Sequence, residues 1–136
     1  MEFLKQNILL IGLVLGSGAA LLWPLLQRSA KHAIAVSATE AVMMMSRQRP
    51  LVLDVREAEE FAQGHLQGAR HLPLSQLDTR LQELQKYRDK PVLVYCQSGA
   101  RARKACARLG VHSFTQLYQL QGGLQAWRDA KLPLGQ

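Results

Sequence analysis

Cys96-Gln97-Ser98-Gly99-Ala100-Arg101 follows the apolar run Val92-Leu93-Val94-Tyr95 and precedes a helical pattern running from Arg101 to Leu109. A strand that ends in a short loop and turns into a helix places that loop at the helix N-terminus, where backbone N–H groups and the positive end of the helix dipole favour an anion. A cysteine there is expected to be held as a thiolate, the form of the side chain that acts as a nucleophile. Gly99 lets the backbone bend where a side chain would obstruct the loop, and Arg101 closes it with a fixed positive charge suited to an anionic donor. The competing reading of a strand-end cysteine is inert burial. The glycine three positions on, the arginine five positions on and the change from strand to helix weigh against it.

The surrounding elements must present this loop. Leu51-Val52-Leu53-Asp54-Val55 reads as a second buried strand with Arg56 at its carboxyl end, and Glu57 to Gln63 as a short helix stopped by Gly64. Carboxyl ends of strands line the crevice of an open α/β sheet, so Asp54 and Arg56 fall beside the Cys96 loop, as part of the site or in an ion pair with each other or with nearby Glu57 or Glu60. His65, in Gly64-His65-Leu66-Gln67-Gly68-Ala69, sits in a turn. A loop histidine more often satisfies backbone groups than acts as a general base.

Ile34 to Val36 is expected to form a first strand, and Ser37-Ala38-Thr39-Glu40 has the spacing of a capping box for a helix through Met43 to Met45. Leu77, Leu81 and Leu84 with Tyr87 mark one face of a helix between Ser75 and Tyr87. Ala102, Ala105, Cys106 and Leu109 form the buried stripe of the helix after the loop, which makes Cys106 a packing residue. Ser113 to Leu120 supplies a last strand, Gly122-Gly123 a turn, and Leu124 to Lys131 a final helix. Strands alternating with helices predict a mainly parallel sheet covered on both faces.

Composition narrows the classes. The chain has 136 residues, 48% hydrophobic and 20% charged, enough for one globular domain and an appendage. Cys96 and Cys106 make no disulfide framework, and a reducing compartment suits a reactive thiol. The net charge of +7 comes from basic residues spread along the chain. Arg101, Arg103, Lys104 and Arg108 lack the interleaved aromatics or motif of a nucleic-acid surface. His32, His65, His71 and His112 have no ligand spacing, so no metal is expected, and no cofactor is required.

Ile8 to Leu26 carries no charged side chain and has the length of a membrane-spanning helix, with Trp23 near its end. A cleaved signal peptide ending near Ala33-Ile34-Ala35 is the competing reading, but the apolar run is longer than a signal core. Residues 1–33 are therefore expected to be an anchor, with a transmembrane helix at about 8–26, and residues 34–136 the functional domain. Arg28, Lys31, Arg47 and Arg49 follow the span, so the positive-inside tendency places the C-terminal domain in the cytoplasm of a single-pass inner or plasma membrane protein. Gly12, Gly16 and Ala20 recur every fourth position, which would let two such helices approach as a homodimer.

Residues 34 to 134 resemble a single rhodanese domain. The resemblance rests on Leu53-Asp54-Val55-Arg56 with Glu60-Phe61, on Gly64-His65-Leu66-Gln67-Gly68-Ala69, on the Cys96 to Arg101 loop and on Gly122-Gly123-Leu124-Gln125-Ala126-Trp127, in the family's order. It implies a five-stranded α/β sheet and a catalytic Cys96 that takes a sulfane sulfur to become a persulfide. The N–H groups of Gln97, Ser98, Gly99, Ala100 and Arg101 would bind that sulfur, and Asp54, Arg56 and His65 would support the loop. A donor such as thiosulfate would lose its outer sulfur to Cys96, and cyanide or a thiol would remove it. Two rivals remain at this point. Phosphatase and arsenate reductase loops resemble this one but are typically one residue longer between Cys and Arg. A membrane-tethered binding module would use the fold without the chemistry.

Overall fold

The structure is a computed structural model and describes residues 1–27 and 33–135. It divides into two units, residues 1–31 and residues 32–136. The first holds helices α1 (Glu2–Gln6) and α2 (Ile8–Gln27). The described side chains of α2 are largely exposed and apolar, among them Ile8, Leu9, Leu10, Leu13, Val14, Leu15, Leu21 and Leu22. The expected transmembrane helix is not supplied by this structure: among the described residues no helix is long and apolar enough to cross a membrane. The Trp23 side chain, Arg28, Lys31 and His32, on which parts of the anchor and metal readings rested, lie outside the described residues.

In the second unit β1 (Ile34–Val36) leads into α3 (Ala38–Arg47), whose first turn is capped by the Ser37 hydroxyl accepting from the Glu40 N–H at 3.2 Å, the N-cap half of the expected capping box. Then follow β2 (Leu51–Asp54), α4 (Ala58–Ala62), the two-residue β3 (Arg70–His71), β4 (Val92–Tyr95), α5 (Ala100–Val111), β5 (Leu117–Leu120) and α6 (Gly123–Asp129). The five strands form one sheet in the order β1-β5-β4-β2-β3, every neighbouring pair parallel. Central β4 is buried at all four positions, the pattern of a strand covered on both faces.

Alternation along the strands sorts the core into two layers. Leu53, Val55, Val92, Val94 and Cys96 pack with Ala102, Ala105, Cys106 and Leu109 of α5 on one face. Val52, Leu93 and Tyr95 pack with Ala38 and Ala41 of α3 and with Leu124 and Trp127 of α6 on the other. Cys106 is thus a core residue, as its place in the helical stripe predicts, and burial pushes its thiol up to about 12.

One expected element is different. Leu77, Leu81 and Leu84 are buried and Tyr87 packs against the same cluster, but the segment is two 3-10 stretches, Leu74–Gln76 and Leu81–Tyr87, rather than one α-helix. Thr79 lies between them with its hydroxyl donating back to the Gln76 carbonyl at 3.0 Å. Such side-chain bonds compete with a helix's own ladder, and the stripe of leucines is buried without a continuous helix.

Candidate active site

Cys96 is the first residue after β4 and Gly99 the N-cap of α5. Gly99 has φ +122°, a conformation side chains rarely adopt, at the point where the chain turns from the loop into α5. The Gly99 N–H donates to Cys96 Sγ at 3.0 Å and the Ala102 N–H at 3.3 Å. Ala100, Arg101 and Ala102 open the helix, where the N–H groups have no intrahelical carbonyl to meet. The site is therefore built from orphan donors: Ala102 uses one on the cysteine sulfur, and Ala100 and Arg101 supply two more N–H groups at the same helix end. Cys96 is only 1% exposed, so a reacting partner must enter the loop itself.

Two devices hold this loop in place, and neither is evident from the sequence spacing. Gln119 of β5 donates from Nε2 to the Gly99 carbonyl at 3.1 Å, fixing the peptide next to the one that meets the sulfur. From the other side, the first turn of α6 donates from Leu124 N–H to the Cys96 carbonyl at 2.8 Å and from Gln125 N–H to the Gln97 carbonyl at 3.1 Å. That approach needs Gly123. A Cβ there would run into the Cys96 carbonyl oxygen and stand 2.7 Å from Gln97 backbone atoms, and the residue has φ +60°. The Gly122-Gly123 pair expected to be a turn is also the point where a helix end grips the cysteine loop.

Asp54 and Arg56 are both buried and bind each other: Arg56 donates from Nε at 3.1 Å to each carboxylate oxygen and from an Nη at 2.8 Å, while its own N–H donates to Asp54 at 2.9 Å. Tyr95 completes the group, its hydroxyl donating to Asp54 at 2.7 Å and accepting from the Leu66 N–H at 3.0 Å. Burial and the neighbouring carboxylate push the Tyr95 phenol up, so it remains a donor. Burial opposes the Arg56 charge, but the hydrogen bonds and charge of Asp54 outweigh it and raise the guanidinium. Arg56 also donates to the Gly64 carbonyl at 2.7 Å, tying the strand end to the turn that carries His65.

His65 itself donates from Nδ1 to the Phe61 carbonyl at 3.0 Å and stacks on the Phe61 ring at 3.9 Å. Its backbone exchanges hydrogen bonds with Gly135. The structure gives it no hydrogen bond to the Cys96 loop. Of the residues singled out in sequence, Cys96, Gly99 and Arg101 share the loop, Asp54 and Arg56 form the buried network next to it in the sheet, and His65 braces the neighbouring turn.

This succession of elements matches the rhodanese-like domain family over residues 37–130. The chain belongs to that family. The rhodanese-like domain is 39% identical over 84 residues to a sulfurtransferase of Allochromatium vinosum, covering 62% of this chain and 77% of that protein. It is 30% identical over 103 residues to the thiosulfate sulfurtransferase GlpE of Vibrio cholerae, covering 76% and 95% of the two chains. Among solved structures, a rhodanese-related protein of Thermoplasma volcanium superposes with a TM-score of 0.68 at 26% identity, over 75% of this chain and 97% of that one.

Arg101 of the rhodanese-like domain does not stand alone. Its guanidinium meets the Glu60 carboxylate in a two-pronged pair, at 2.6 Å and 3.0 Å, with each side chain about one-third exposed. The hydrogen bonds from Arg101 hold the Glu60 carboxyl down at about 2, so it is charged across the range in which proteins work. Glu60 lies in the first turn of α4 and also accepts from the Glu57 N–H at 3.2 Å, which fixes its direction. The sequence signal was the acidic first turn of a helix starting at a strand's carboxyl end. It marks Glu60 as a cap but does not reveal a partner 41 residues away.

Proposed function

We propose that this domain is a sulfurtransferase in which the Cys96 thiolate attacks the outer sulfur of a sulfane donor such as thiosulfate. The new bond joins the two sulfurs, the donor's sulfur–sulfur bond breaks, and its electron pair leaves with sulfite. A thiophilic acceptor, cyanide or a thiol, then attacks the outer sulfur of the Cys96 persulfide and restores the thiolate. The observation that carries this reading is the pair of N–H groups donating to Cys96 Sγ, beside two further helix-end N–H groups able to meet the added sulfur. The relatives named sulfurtransferase support the activity in its broad sense.

Incubation with thiosulfate or an organic persulfide should add the mass of one sulfur atom, located at Cys96 by peptide mapping, and cyanide should remove it. Cys96→Ser should abolish both the adduct and turnover in a folded protein. Turnover that persists in that variant would overturn the mechanism.

The reading extends to membrane attachment through the apolar N-terminal segment, with the catalytic domain on the cytoplasmic side. Its support is the uncharged sequence from Ile8 to Leu26 and the exposed apolar side chains of α2. Retention in membranes through an alkaline wash is the expected behaviour.

A further inference from the structure

Arg101 is the one cation of the Cys96 loop, and both prongs of its fork are taken by Glu60. The carboxylates that act on Arg101 are Glu60, which it binds, and Glu57. Arg56, the other cation that acts on Glu60, is itself bound to Asp54. Arg103 and Lys104 are exposed further along α5, so the chain as a whole is basic while the one guanidinium of the loop is already matched by the Glu60 carboxylate. A dianion entering this loop would have to displace Glu60 from Arg101 or lie beside its carboxylate.

We infer that Glu60 sets donor specificity, turning the site away from small dianions such as thiosulfate and toward organic persulfides whose body is neutral or positively charged. This rests on the sulfur-transfer reading and says which donors that chemistry prefers. With a persulfide R–S–SH, the Cys96 thiolate bonds to the outer sulfur, the donor's sulfur–sulfur bond breaks, and R–S⁻ departs with the electron pair, leaving Cys96–S–SH. Charge and atoms balance without any further reagent. An ammonium on R would find Glu60 at the entrance, whereas the leaving sulfite of thiosulfate finds no uncommitted guanidinium.

The test compares thiosulfate with cysteamine persulfide as donors to the full chain, following the rate of sulfur loading at Cys96 by mass as donor concentration is raised. Glu60→Gln removes the charge and keeps the size. It should raise the ratio of thiosulfate to cysteamine persulfide loading about tenfold, the scale of one unit charge near a dianion in a partly exposed site. The change should appear in the concentration dependence for thiosulfate rather than in the limiting rate. Glu60→Asp, which restores the charge, should return the ratio toward wild type and separates charge from any general loosening of the loop. Loading by both donors with a ratio unchanged in Glu60→Gln would overturn the inference and leave sulfur transfer standing. A wild-type protein that takes sulfur from neither donor would overturn both.

Discussion

Tyr95 reads in sequence as the last apolar residue of a buried strand, and the ring does pack in the core under α6. Its hydroxyl, however, is the bridge between Asp54 and the backbone of Leu66. Among the described residues no buried side-chain nitrogen or oxygen lacks a partner, so this network is fully satisfied, the condition under which a buried ion pair holds one arrangement. Tyr95→Phe keeps the ring and removes the bridge, leaving the Leu66 N–H unpaired and Asp54 one donor short. Chemical denaturation should show a loss of about 2 to 3 kcal/mol, the size of a hydrogen bond to a charged group plus part of the cost of an unmet buried donor. A loss below about 0.5 kcal/mol would mean that water replaces the hydroxyl and that the network does not brace the turn. Cys96, Arg101 and the Asp54–Arg56 pair were legible in sequence because local spacing brings them together. Tyr95, Glu60 and Gln119 were not, because each acts on a residue 20 to 41 positions away and only the sheet order unites them.

At the level of elements, strands and helices were readable from periodicity because a parallel sheet covered on both faces demands short apolar runs and striped helices. The segment from Leu74 to Tyr87 departs from the prediction because core burial fixes where leucines point but not which helical ladder carries them. The grip of α6 on the cysteine loop was legible only as a glycine pair. Gly123→Ala tests it. The added methyl meets the Cys96 and Gln97 backbone and the left-handed conformation costs about 1 to 2 kcal/mol in addition, so α6 must withdraw and the loop lose its two carbonyl anchors. Sulfur loading should fall at least tenfold. Gly68→Ala is the control: φ is +76° but a Cβ meets nothing within 4 Å, so it should carry the conformational cost alone and keep its loading rate. Equal loss of loading in the two variants would show that backbone strain, and not the α6 contact, governs the loop.

For the whole molecule, the two core layers draw their buried residues from Val36 to Trp127, and Ala33 is the earliest of the described residues packed against them. The described side chains of α2 are mostly exposed leucine, isoleucine and valine, on all sides of the helix, and residues 32–136 form a compact unit by themselves. A helix that is apolar all round is not stabilised by facing water and calls for another apolar medium. A chain beginning at Ala33 should therefore unfold at the same temperature as the domain in the full-length protein and load one sulfur at Cys96 at the same rate. The full-length protein should stay with membranes through high salt and alkaline carbonate and come off only in detergent, whereas the shortened chain should remain in the supernatant. Full-length protein released by salt alone would reduce the attachment to surface charge and remove the membrane reading. A shortened chain that fails to fold would instead show that residues 32–136 are not a unit that folds by itself.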